Sequence, residues 1–136
     1  MKQVILAVVL LLGSTGLVSA ATDDLEIHDQ QGVRYVSGGM TKDELDELDK
    51  LAPRFPMHIV MIDHKMQHEP IKGVDVTVRD VSGNVVLEAT SEGPLMFVEV
   101  IGGRYTVEAA YKGETLKETK DLTGRRYLRL RFTFNE

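Results

Sequence analysis

The sequence predicts a mainly β chain, an antiparallel β-sandwich with one short α-helix packed on it. Two observations carry that expectation. Between Pro70 and Tyr111, apolar and polar residues alternate through four short runs, cut by turn-forming Ser82-Gly83-Asn84, Glu92-Gly93-Pro94 and Gly102-Gly103. A period of two, β-branched enrichment and turn residues between runs are the marks of half-buried antiparallel strands. Upstream, one stretch over 41–52 carries apolar residues at helical spacing behind a capping signal.

Taken in order, the chain opens with Lys2, an apolar run from Val4 to Leu12, a loosened end at Gly13, Ser14 and Gly16, and small residues at Val18-Ser19-Ala20. That is the pattern of a secretory signal peptide over 1–20, and the run is too short to cross ~30 Å of hydrocarbon comfortably. The expected product is periplasmic or secreted, with no stable membrane anchor after cleavage. The 136-residue chain has no cysteine, so attachment of lipid at a cysteine is excluded and the core must hold the fold without disulfides. What remains is one domain's worth of chain. The formal net charge of −5 becomes more negative once Lys2 is removed, which argues against a nucleic-acid partner and against general attraction to anionic lipid.

Residues 21–32, with Asp23, Asp24, Glu26 and Asp29, read as a flexible leader. Residues 33–56 read as a short strand followed by the helix. Gly38-Gly39 either frees the backbone for the turn or cradles an anion, but no Gly-x-Gly-x-x-Gly or phosphate-loop lysine follows. Thr41-Lys42-Asp43-Glu44 is a capping-box pattern, Leu45, Leu48 and Ala52 form one apolar stripe with Leu51 beside it, and Pro53 stops the helix. The acidic residues between Asp43 and Asp49 lack the alternating oxygens and central glycine of a calcium loop, so they read as a solvated face.

Residues 57–136 are expected to form the sandwich. Met57–Asp63 is apolar on both faces apart from His58, so a second cover is needed, and the helix stripe is expected to lie across this strand. Next come the inward candidates Val74, Val76 and Val78; Val85, Leu87 and Ala89; Met96, Val98 and Val100; and Tyr105, Val107 and Ala109. The Tyr105 hydroxyl is expected to bond a nearby backbone group, as tyrosines at sandwich corners do. Glu114–Lys120 suits a charged, protected edge strand. In the last strand Leu128, Leu130, Phe132 and Phe134 face in, and Tyr127, Arg129 and Arg131 face out.

Three groups of residues have chemical potential. Ser37, Ser82 and Ser91 are expected in turns, and none has the Gly-x-Ser-x-Gly setting of an activated nucleophile. Between Met57 and His68 stand Met57, His58, Met61, His64, Met66 and His68, donors that together suit copper or zinc. On a strand the methionines and histidines point to opposite faces, so the best subset is His58, His64 and His68 with Glu69 or Met66. The other reading is that Met57 and Met61 fill the space beneath the helix and the histidines are ordinary surface or loop residues. Arg125, Arg126, Arg129 and Arg131 are the one local basic concentration in an acidic chain. Either Arg129 and Arg131 pair across strands with Glu108 or Glu99, or the group grips a carboxylate- or phosphate-bearing partner. No catalytic residue, cofactor or metal site is assigned.

Gly73-Val74-x-Val76-x-Val78-x-Asp80, Ser82-Gly83-Asn84, Thr90-Ser91-Glu92-Gly93 and Ile101-Gly102-Gly103-Arg104-Tyr105-Thr106-Val107 together resemble the carboxypeptidase regulatory-like domains. The whole chain is similar to small exported proteins of Gram-negative bacteria that carry one such domain. The resemblance implies a transthyretin-like (prealbumin-like) β-sandwich and a non-catalytic binding or interaction module, not an enzyme. Its partner would be a protein or another component of the cell envelope. The alternative is a periplasmic metal-binding protein acting through the His58–His68 segment.

Overall fold

Strands β1 (His28–Gln30), β2 (Val33–Gly38), β6 (Leu95–Val98), β3 (Met57–Asp63) and β9 (Leu128–Phe134) form, in that order, a five-stranded sheet in this computed structural model. It describes residues 25–66 and 69–135, with nothing said of the Met66 side chain. The expected signal segment 1–20 lies outside the described residues, as do the first four leader residues and His68. Strands β5 (Val85–Thr90), β4 (Asp75–Arg79), β7 (Arg104–Tyr111) and β8 (Glu114–Asp121) form the second sheet. All neighbours are antiparallel except β3 and β9. No described helix is long and apolar enough to cross a membrane.

The two sheets face each other across a core that the alternation in the sequence dictates. Met57, Ile59 and Met61 from β3 and Leu130, Phe132 and Phe134 from β9 meet Val76, Val78, Leu87, Val107 and Ala109 of the other sheet. Side chains of this size each stabilise the fold by ~1.5–3 kcal/mol when fully buried. Met57 and Met61 therefore sit between the sheets and not beneath the helix, because the helix packs on the outer face of the five-stranded sheet.

Helix α1 (Lys42–Leu51) starts at Thr41, whose Oγ1 accepts the Glu44 N–H at 3.2 Å. Glu44 reaches further back than the capping box requires and accepts the Gly39 and Met40 N–H groups at 3.0 and 2.9 Å. The Gly39-Met40 backbone thus holds a carboxylate supplied by the chain itself. On its inner side Leu48 packs with Val36 of β2, Phe97 of β6 and Phe55, while Leu45 stays half exposed. The helix covers β2 and β6 rather than β3, contrary to the sequence expectation. Strand β6 inserts between β2 and β3, so the strand next in sequence is not the one directly beneath the helix.

The first sheet also begins earlier than the sequence suggests. Residues 28–30 are a strand paired with β2, and Leu25 and Ile27 pack against the helix cluster, so this part of the expected leader belongs to the fold. The Gln30 side-chain amide donates to the Glu88 carbonyl and its oxygen accepts the Glu88 N–H, both at 2.9 Å. It ties β1 to β5 as a strand's peptide group would. Val85 was expected inward and is exposed, because the β4–β5 register shifts between Val78 and Arg79 and skips Val86, which packs on the core instead. Tyr105 is buried and donates its hydroxyl to the Ile101 carbonyl at 2.7 Å, as expected.

Candidate functional site

On the outer face of the five-stranded sheet a groove runs between the C-terminal half of α1 and strand β9. The register of β3 against β9 builds it: His58 lies beside Arg129 and Val60 beside Arg131. One lobe, about 310 Å³, is lined by Ala52, Pro53, His58, Arg126, Tyr127 and Arg129 and contains no acidic group. The second, about 340 Å³, shares Ala52, His58 and Arg129 and adds Arg131 on the strand side and Asp46 and Asp49 on the helix side.

His58 forms the floor. It is buried, with its ring 4.3 Å from Phe97 and stacked 5.3 Å from Tyr127. Its Nε2 lies 3.0 Å from the Ala52 carbonyl oxygen. A carbonyl can only accept, so Nε2 donates, and Nδ1 is buried without a partner among the described residues. His58 therefore ties the helix end to β3 and is not the surface residue the sequence suggested. Tyr127 is the exposed upper layer of the stack.

The arginines do not make the cross-strand pairs expected of them. Glu99 is held by Arg34, in a fork with N···O distances of 2.7 and 2.8 Å. That hydrogen-bonded pairing keeps the Glu99 carboxyl below the usual carboxylate range, with attraction to the Arg34 charge adding to it. Glu108 lies in the other sheet, 3.6 Å from Arg79. Strand β9 borders β3, whose outward residues next to Arg129 and Arg131 are His58 and Val60, so no carboxylate faces them across the ladder. Among the described residues none of Arg126, Arg129 and Arg131 has an ion-pair partner.

Among the described residues, the histidine and methionine donors do not converge. Met57 and Met61 are in the core between the sheets. His58 and His64 stand at opposite ends of β3, six residues and roughly 20 Å apart at ~3.3 Å per residue. Among the described residues no three His, Cys, Asp or Glu side chains gather as metal ligands would.

The Ser37 and Ser91 hydroxyls have structural partners, and Ser82 lies in a turn where its backbone N–H donates to Asp80 at 2.9 Å. Ser37, in β2 and not in a turn, donates to the Leu95 carbonyl and accepts the Glu92 N–H, both at 2.9 Å. Ser91 accepts the Val74 N–H at 3.0 Å.

What sequence reasoning missed was the meeting of His58, Phe97 and Tyr127. The outward period-two order of Tyr127, Arg129 and Arg131 was visible, but its neighbour across the ladder depends on the parallel pairing of β3 with β9. No protein-family model matches the sequence, and no curated protein matches it at significant similarity.

Proposed function

We propose that this chain is an exported, non-catalytic binding module and that the β9 side of the groove is where it holds an acidic protein partner. The observation that carries the reading is the trio Arg126, Arg129 and Arg131, lining the groove without ion-pair partners among the described residues in a chain of net charge −5. Guanidinium forks match carboxylates bidentately, and arginine with tyrosine is the pairing enriched where protein interfaces concentrate their energy. The acid-free lobe supports a carboxylate seat beside Tyr127. The resemblance to carboxypeptidase regulatory-like domains supports a non-catalytic role, and the Val18-Ser19-Ala20 pattern supports export to the periplasm or beyond.

The test is titration of the secreted chain with poly-glutamate at low and at physiological salt, against Arg129→Glu/Arg131→Glu. Binding that weakens with salt and is lost in the double variant supports the reading. Absence of binding at millimolar glutamate, or equal binding by the variant, overturns it.

A further inference from the structure

We infer that the open edge of β9 takes up an extended acidic segment of the partner as an additional strand. This rests on the proposed function and gives the partner a conformation. Among the described residues, strand β9 ends the five-stranded sheet and pairs only with β3. Its phase is set by the Leu128 N–H, which donates to the Pro56 carbonyl at 2.7 Å. Peptide groups alternate sides along a strand, so those of Leu128, Leu130, Phe132 and Phe134 turn toward β3. Those of Arg129, Arg131 and Thr133 turn to the open edge.

An open edge of seven residues is a template for another chain, and main-chain hydrogen bonds along it supply affinity whatever the side chains. The arginines decide the occupant. A second copy pairing β9 with β9 would set arginine columns side by side, which is destabilising. An acidic strand instead places alternate carboxylates next to Arg129 and Arg131 on the outer face. The position also suits the charges across the groove. Asp46 and Asp49 repel an anion from the helix side, and Lys42 engages only Asp46, at 3.3 Å. The edge lies on the far side of the arginines from those carboxylates. Just past β9, the Asn135 N–H donates to the Glu114 carboxylate of β8 at 2.9 Å, so the chain is held to the other sheet at that end.

The experiment uses an eight-residue peptide alternating glutamate and valine, and two versions of it N-methylated on one or the other alternate set of amides. Charge and side chains are the same in all three. Strand addition predicts that one methylated version binds about tenfold or more weakly while the other is little changed, since only one set faces β9. It also predicts slowed hydrogen exchange at the Arg129, Arg131 and Thr133 amides when the parent peptide is bound. Equal binding by all three peptides without slowed exchange overturns strand addition and leaves the acidic-partner reading standing. Failure of the parent peptide to bind, or equal binding by Arg129→Glu/Arg131→Glu, overturns both.

Discussion

Replacing Tyr105 separates what its ring and its hydroxyl each contribute to the fold. The ring is buried in the core at the start of β7, with 7% of the residue exposed, and the hydroxyl closes a loop by donating to the Ile101 carbonyl at 2.7 Å. Tyr105→Ala empties a large core site and should destabilise the chain by ~3–5 kcal/mol. Tyr105→Phe keeps the packing and loses one hydrogen bond whose acceptor sits in a loop where Ile101 is highly exposed. Water can replace the phenol there, so the expected loss is ~0.5–1.5 kcal/mol. Urea unfolding followed by circular dichroism measures both. With a slope of ~2 kcal/mol per molar, the alanine variant should unfold at a midpoint lower by about 2 M, and the phenylalanine variant by well under 1 M. A loss below about 1 kcal/mol for alanine would mean that the ring does not hold the two sheets together. Equal losses for the two variants would place the stabilisation in the hydroxyl instead.

Gly93→Ala should destabilise by ~1–3 kcal/mol, since the added Cβ would fall 2.2 Å from the Gly38 carbonyl oxygen and the β2–β6 pairing must shift; a thermal melt reads this directly. Thr41→Ala should cost ~1 kcal/mol through loss of the bond to the Glu44 N–H, measured by the same melt. Arg34→Met tests the Glu99 pair through pH. A carboxyl held low in the folded state contributes stability above its unfolded value, near 4.5, and loses it as the pH falls through the folded value. The stability gap between parent and Arg34→Met should therefore be present at pH 7 and close well below pH 4.5; because the pair is largely exposed, the gap is small. Intact mass of the secreted protein should correspond to a start within a residue or two of Ala21, and retention of Met1–Ala20 would remove the basis for export.

Local chemistry was legible in the sequence where one segment determines its own structure. The strand alternation of 70–111, the Thr41 cap and the Tyr105 corner all depend on residues within a few positions of one another, and all three are found, with Val85 the inward residue that the β4–β5 bulge turns out. What escaped depends on which strands become neighbours. The helix stripe could be seen, but β6 sits under it because of sheet order, which has no local signature. Arg129 and Arg131 were placed outward correctly, yet their lack of partners follows from β9 bordering β3 and from Arg34 occupying Glu99. His58 was a donor in a list until the parallel ladder set it between Phe97 and Tyr127. A polar stretch such as His28–Gln30 carries little strand signal, since its pairing comes from β2 and from the Gln30 amide holding Glu88.

The proposal that the β9 side of the groove is the binding surface is tested most directly by photo-crosslinking in the cell that produces the chain, with the reactive side chain placed at Tyr127 or Thr133 and, as a control, at Lys117 on β8. The account predicts adducts from Tyr127 and Thr133, lost with Arg129→Glu/Arg131→Glu, whose crosslinked peptide maps to an acidic segment of the partner. Adducts from Lys117 alone, or adducts from Tyr127 and Thr133 that map to a basic or neutral segment and survive the charge reversal, would contradict it.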